Sequence, residues 1–380
     1  MVGRLIAPRD MFDSTGARLR RAAAAARISN PRKTGVMASP PTITTSASQP
    51  AGMTKGYTVL STPSAFRVFG GKTTSYGVNF WQFPCVTLVS GGNVSTTQHA
   101  TVWRVEILVD AQKPVFRILS SVLPYRFIVD GQYVSTAGTV CYLGGGDNWI
   151  TLDFGSRDVR RITIEGEQAQ AFWGVYVGPT EGACRTEGVS VRGCILGDSY
   201  TAGSAATRAG DGFASVMADH LGIGDMWQSG SGGTGYLATS GGAGLTLRQR
   251  LGPDMAAVGA DVNFWANGIN DRGVGGPAIQ TEVSLALAAY RVAIPTAPLF
   301  VFGCWPGNNG ETYAATLAAE DAIGAAVASF ADPGVIFIPV VRAADGSPMT
   351  GTGTVSAPTG IGNNDVYCDA AGTHLNTAGH

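Results

Sequence analysis

A serine hydroxyl becomes a useful nucleophile only beside a base. This chain offers four histidines for that role: His99, His220, His374 and His380. Ser199 stands in Gly197-Asp198-Ser199-Tyr200-Thr201, directly after the apolar run VRGCIL and a few residues before a helix-forming segment. That placement predicts a serine exposed at a strand's carboxyl end near a helix N-terminus, with backbone N–H groups beside it to bind an anion. Alone, the pentapeptide reads equally well as a helix cap. It is not the G-x-S-x-G elbow, because position 201 is Thr. His99 falls among strand-like runs, and His220 falls on a helix face expected to be solvated. His374 follows the last strand-like run, in Asp369-Ala370-Ala371-Gly372-Thr373-His374-Leu375-Asn376, a loop that can meet Ser199. His380 comes six residues later.

The elements that must position these groups fall into three stretches. Residues 1–55 read as a basic arm and flexible linker. Their first 35 residues hold eight basic side chains (Arg4, Arg9, Arg18, Arg20, Arg21, Arg27, Arg32, Lys33) against Asp10 and Asp13. A Ser/Thr/Pro-rich segment, SPPTITTSASQPAG, follows with too few large apolar residues to offset the entropy of ordering by itself. Residues 56–188 read as all-β. The runs VTLVS, TVWRVEILVD, RFIVDGQYVS, WITLDFG, RRITIEG and AFWGVYVG carry β-branched and aromatic residues punctuated by Gly. Asp130-Gly131 predicts a hairpin turn, and the spacing predicts a sandwich or jelly roll. Over residues 189–380, VRGCIL, DVNFWA, PLFVFG and GVIFIPV alternate with helical patterns, around Ile279–Val292 among others. Continuous apolar strands between helices predict a parallel sheet covered on both faces, with its chemistry at the carboxyl ends of the strands.

Composition narrows the function classes. The 380 residues carry a net charge of −1, so nucleic acid is not an expected partner. No run of 18 apolar residues predicts a membrane span, and the Ala22–Ala26 run, flanked by Arg, makes a poor secretory signal. An extracellular or virion-associated site is expected over a membrane one. The six cysteines, at 85, 141, 184, 194, 304 and 368, form no C-x-x-C pair, which argues against a zinc ribbon or thioredoxin motif. Cys194 and Cys304 sit in apolar runs and are expected in the core. No metal and no cofactor is expected.

In order, GDSY, a Gly-rich block (Ser229-Gly230-Ser231-Gly232-Gly233-Thr234-Gly235), Gly268-Ile269-Asn270-Asp271 and His374-Leu375-Asn376 resemble the blocks of the GDSL/SGNH hydrolases over roughly residues 190–380. The resemblance implies a flavodoxin-like three-layer α/β domain with the nucleophile after its first strand. It implies that Ser199 attacks an ester carbonyl and that His374 takes its proton and returns it to the leaving alcohol. The oxyanion would be held by the Ser199 backbone N–H, the Asn270 side-chain amide and a glycine N–H, with Gly233 preferred and Gly232 the alternative. Asn270-Asp271 is otherwise a turn and helix cap. The family usually places its Asp three residues before the His, but here that position is Ala371. Either Asp369, five residues before, reaches His374, or the site is a Ser–His dyad whose imidazole is oriented by a backbone carbonyl; Asp369 is the preferred reading. The sequence ends soon after the His block, where the family usually continues into a closing helix, so apolar surface is expected to be uncovered there.

These features point to an esterase acting on short acyl groups, O-acetyl above all. The preceding β domain suggests a small-molecule or polysaccharide ester as substrate, by analogy with SGNH carbohydrate esterases that carry a jelly roll in front. Trp305 and Tyr313, after PLFVFG, are candidates to stack on a sugar ring. A virion or tail structural protein that carries the SGNH domain as a receptor-modifying or degenerate module is the alternative, and residues 1–55 would then engage an assembly partner. A lipase for long acyl chains is a third reading, but the sequence shows no large apolar lid.

Overall fold

The computed structural model describes residues 35–71, 73–76, 80–82, 101–167, 170–188, 190–240 and 244–380. The basic stretch up to residue 34, the VTLVS run, Cys85 and His99 lie outside the described residues.

The first domain is a β-sandwich of two antiparallel sheets. In one, the strands run in the order Thr42–Ser46, Asp147–Asp153, Val115–Leu119, Ala171–Val177, Phe80–Gln82, Thr74–Tyr76, and Lys55–Thr58 also pairs with Ala171–Val177. The other is built on Ser121–Val129, Asp158–Glu167 and Val102–Ala111, which pair in that order. Between the sheets lie Val105, Ile107, Phe116, Phe127, Ile150, Ile162, Ile164, Phe172 and Val175, all buried. Phe116 and Phe127 meet edge to face with centroids 4.9 Å apart. At the Asp130-Gly131 turn both residues have positive φ, 50° and 90°, as a type I′ hairpin requires.

The expected linker is corrected in part. Thr42–Ser46, inside the Ser/Thr/Pro-rich segment, pairs in register with Trp149–Asp153 as an edge strand. A ladder is made by main-chain hydrogen bonds, and threonine favours the extended backbone, so this strand forms with few apolar side chains. Ile43 packs against the sandwich core.

The second domain is a five-stranded parallel sheet: β1 (Arg192–Gly197), β2 (Asp225–Gly230), β3 (Val262–Ala266), β4 (Leu299–Phe302) and β5 (Val335–Ile338), in spatial order β2-β1-β3-β4-β5. This is the flavodoxin-like order, whose switch point lies at the carboxyl ends of β1 and β3. The longer helices are α1 (Phe213–Leu221), α2 (Gly276–Ala293) and α3 (Ala314–Phe330). Their buried stripes, such as Ile279, Val283, Ala286, Leu287 and Tyr290 on α2, share one core with the strands. Cys194 and Cys304 are in that core, as expected. Among the described residues no helix is long and apolar enough to cross a membrane.

A buried ionic seam joins the domains beside the segment that follows Ser199. Glu165 of the sandwich accepts from Arg126 Nε (2.6 Å) and Arg104 Nε (2.7 Å), and Arg126 also reaches Asp211, just before α1. Glu167 accepts from the Gly210 amide (3.0 Å) and pairs with Arg208 at 3.4 Å. Burial raises the pKa of Glu167 and lowers that of Arg208. Such groups are costly to leave unpaired away from water, so the seam fixes how the sandwich seats against the parallel-sheet domain.

Candidate active site

β1 delivers Ser199 to the switch point. The expectation that a helix N-terminus stands at the serine is corrected, because α1 does not begin until Phe213. Tight turns intervene, with Ala202 N donating to Asp198 O, Gly203 N to Tyr200 O and Ser204 N to Ser199 O. These turns leave Ser199 half-buried and its hydroxyl in contact with the histidine loop. Asp198 is fully buried and accepts from the Tyr200 amide at 2.9 Å. Burial pushes its carboxyl up to about 7 against that hydrogen bond.

His374 Nε2 lies 2.7 Å from Ser199 Oγ, so the structure brings together two residues 175 positions apart. The loop that carries His374 closes as a small hairpin. Cys368 bridges Leu375, Asp369 N donates to His374 O (2.8 Å), and Gly372 turns the chain at φ 78°. That turn absorbs the longer Asp–His spacing, and Asp369 still faces the imidazole. Its Oδ1 accepts from the Thr373 and His374 amides at 2.8 and 3.0 Å. Its Oδ2 lies 3.7 Å from His374 Nδ1, within ion-pair reach but beyond a hydrogen bond. Burial lowers the His374 pKa, and the Asp369 charge opposes that shift.

Asn270 follows β3 in the short turn Ile269–Asp271. Its Nδ2 donates to Thr234 O at 2.8 Å, which orients the amide and leaves a second N–H on the same nitrogen. Asp271 acts differently from a helix cap. It is fully buried and accepts from the Tyr236, Leu237 and Ala238 amides at 2.8–3.0 Å, so it folds the glycine-rich loop toward β3. Burial raises its pKa against those three hydrogen bonds. In that loop a Cβ added to Gly232 would meet Ser199 Cβ at 3.8 Å, whereas one on Gly233 would meet Ser240 at 3.0 Å. Gly232 is therefore the glycine that flanks the serine, and Gly233, at φ 71°, turns the chain away.

Several residues that hold this arrangement carry no sequence signal. Arg250 is buried and donates to Gly197 O (2.9 Å), Ser229 O and Thr234 Oγ1 (3.3 Å), with Asp254 as its ion partner at 3.0 Å. It joins the ends of β1 and β2 to the glycine-rich loop. Glu320, buried on α3, accepts from the Cys304, Val340, Val341 and Arg342 amides and so holds the loops after β4 and β5.

Of the two aromatic candidates, Trp305 is corrected. It is 7% exposed and stacked on Tyr200 (centroids 5.1 Å, planes 12° apart), with Phe213 tilted against it, so its faces are taken by packing. Tyr313 is 44% exposed at the start of α3, with the Arg272 guanidinium 5.8 Å from its ring centroid. His220 is exposed on α1, as expected, and His380 accepts from the Phe213 amide at the start of that helix. Among the described residues no group of three or more His, Cys, Asp or Glu side chains is arranged to hold a metal ion.

Residues 195–380 match the model of the GDSL-like Lipase/Acylhydrolase family. No curated protein matches this sequence. Among solved structures, the chain resembles a family two carbohydrate esterase from Cellvibrio japonicus (TM-score 0.57, 13% identity, 79% of this chain and 89% of that one). It also resembles the salicylyl-acyltransferase SsfX3 from a tetracycline biosynthetic pathway (0.58, 13%, 86% and 94%). An acetyl xylan esterase from Butyrivibrio proteoclasticus gives 0.53 at 12% identity over 75% and 90%. At such identities the likeness is one of fold, and it extends over both domains. Residues 195–380 therefore form a domain of the GDSL-like lipase/acylhydrolase family, and an antiparallel β-sandwich stands in front of it.

Proposed function

We propose that this chain is a serine esterase that removes short acyl groups, O-acetyl above all, from a carbohydrate. The observation that carries the reading is the 2.7 Å contact between Ser199 Oγ and His374 Nε2 at the switch point of the sheet, with Gly232 and Asn270 on loops beside it. Ser199 Oγ attacks the ester carbonyl carbon while its proton passes to His374 Nε2. The negative charge on the carbonyl oxygen is met by the Ser199 and Gly232 N–H groups and the second N–H of Asn270. His374 returns the proton to the departing alcohol oxygen. Water, activated by the same imidazole, then cleaves the acyl-serine. Asp369 stabilises the imidazolium that forms in each half.

Two observations support the carbohydrate part. Two of the similar folds are described as carbohydrate or acetyl xylan esterases. Tyr313 offers an exposed ring on which a sugar can stack. The test is turnover of p-nitrophenyl acetate and of acetylated saccharides by the parent and by Ser199→Ala. The variant should lose about 10³-fold or more on both, as members of a cooperating catalytic unit do. Undiminished hydrolysis by it overturns the assignment. Parent activity on the nitrophenyl ester alone would retain the esterase and discard the sugar.

A further inference from the structure

We propose that Tyr200 is a positioning residue whose hydroxyl tethers the His374 loop to the strand that carries Ser199. The inference rests on the Ser199–His374 reading above. Tyr200 is fully buried, and its hydroxyl donates to the carbonyl oxygen of Thr373, with Met349 Sδ at 3.7 Å. The contacts 199–374 and 200–373 are thus adjacent rungs between two loops far apart in sequence.

The tether acts on one peptide unit. The Thr373 carbonyl is held by Tyr200, and the N–H of the same unit, on His374, is held by Asp369 Oδ1 at 3.0 Å. Fixing both ends fixes the plane from which the imidazole projects. A catalytic group must be held within about 0.5 Å of its working position, and Asp369 Oδ2, at 3.7 Å from Nδ1, makes no hydrogen bond that would hold the ring itself. The Tyr200 ring completes the support, tilted against the imidazole with centroids 5.3 Å apart and backed by Trp305. A tyrosine that only filled the core would leave the histidine indifferent to its oxygen.

Tyr200→Phe removes that one oxygen and keeps the stack on Trp305. Kcat should fall about tenfold or more, since loosened catalytic geometry is expensive in rate, while KM stays within about twofold. The acid limb of kcat/KM should also move. Burial holds the His374 pKa low, so a loosened loop that admits water brings the limb up toward the ordinary imidazole value. The groups that face or act on His374 are Asp369 on its own loop, Ser199 and Tyr200 after β1, and His380 in the C-terminal turn. Only Tyr200 is altered, and it loses no charge at these pH values. Trp305→Phe, which keeps the hydroxyl, should lower Tm with the limb unmoved. If Ser199→Ala is inactive but Tyr200→Phe keeps both kcat and the acid limb of the parent, the tether is refuted. If Ser199→Ala stays active, the nucleophile reading fails first and the tether with it.

Discussion

Asp369→Asn tests how the imidazole is stabilised, and the structure sets the size of the effect. Asn keeps an oxygen for the Thr373 and His374 amides, so the hairpin survives while the charge is lost. Two unit charges about 4 Å apart interact by roughly 4 kcal/mol at the effective dielectric of a partly buried site, and Asp369 Oδ2 lies 3.7 Å from Nδ1. The side chains are 15% and 19% exposed, so solvent screening takes part of that away. About 2–3 kcal/mol remains for the imidazolium in the transition state, which is a loss of about 10²-fold in kcat. This is less than the roughly 10⁴-fold of a triad whose acid also fixes the tautomer by a hydrogen bond. The assay is steady-state hydrolysis of p-nitrophenyl acetate, with thermal melts to show that the hairpin is kept. A loss under tenfold would refute the electrostatic role and leave a Ser–His dyad. A loss near 10⁴ would mean that the hydrogen bond closes when substrate binds. Asp369→Ala should cost more stability than Asp369→Asn, because it strips the acceptor from two amides.

Asn270→Ala should lower kcat by about 10²–10³ with KM little changed, the signature of a donor to the oxyanion; a change confined to Tm would leave only its bond to Thr234. Asp198 bears on the pH dependence of stability. Its folded pKa, about 7, lies above the ordinary carboxylate value, so its contribution is full below about pH 4 and is lost as pH rises through 7. The loss is at most about 4 kcal/mol. Melts of the parent and Asp198→Asn between pH 4 and 8 should show the slope shrinking in the variant, and equal slopes would refute the protonated carboxyl.

By itself the sequence determined that an all-β stretch precedes an α/β one, the strand and helix pattern of the second half, and which serine and histidine to propose as nucleophile and base. These are local properties: apolar runs between helical stretches, glycine-rich turns, and short blocks that each follow their own strand. Its β reading of the first domain held for the same reason, because alternation and Asp130-Gly131 express pairing between near neighbours. Only the tertiary structure decided what depends on contacts between distant segments. The Thr42–Ser46 strand exists because Trp149–Asp153 offers it a free edge. Trp305 became a packing residue because Tyr200 and Phe213 cover its ring. Gly232 rather than Gly233 flanks the serine because Asp271, on another loop, sets the path of the glycine-rich block. Arg250, Glu320 and Tyr200 act through main-chain groups far away in the chain, and a side chain bonded to a distant backbone leaves no periodicity or spacing to read.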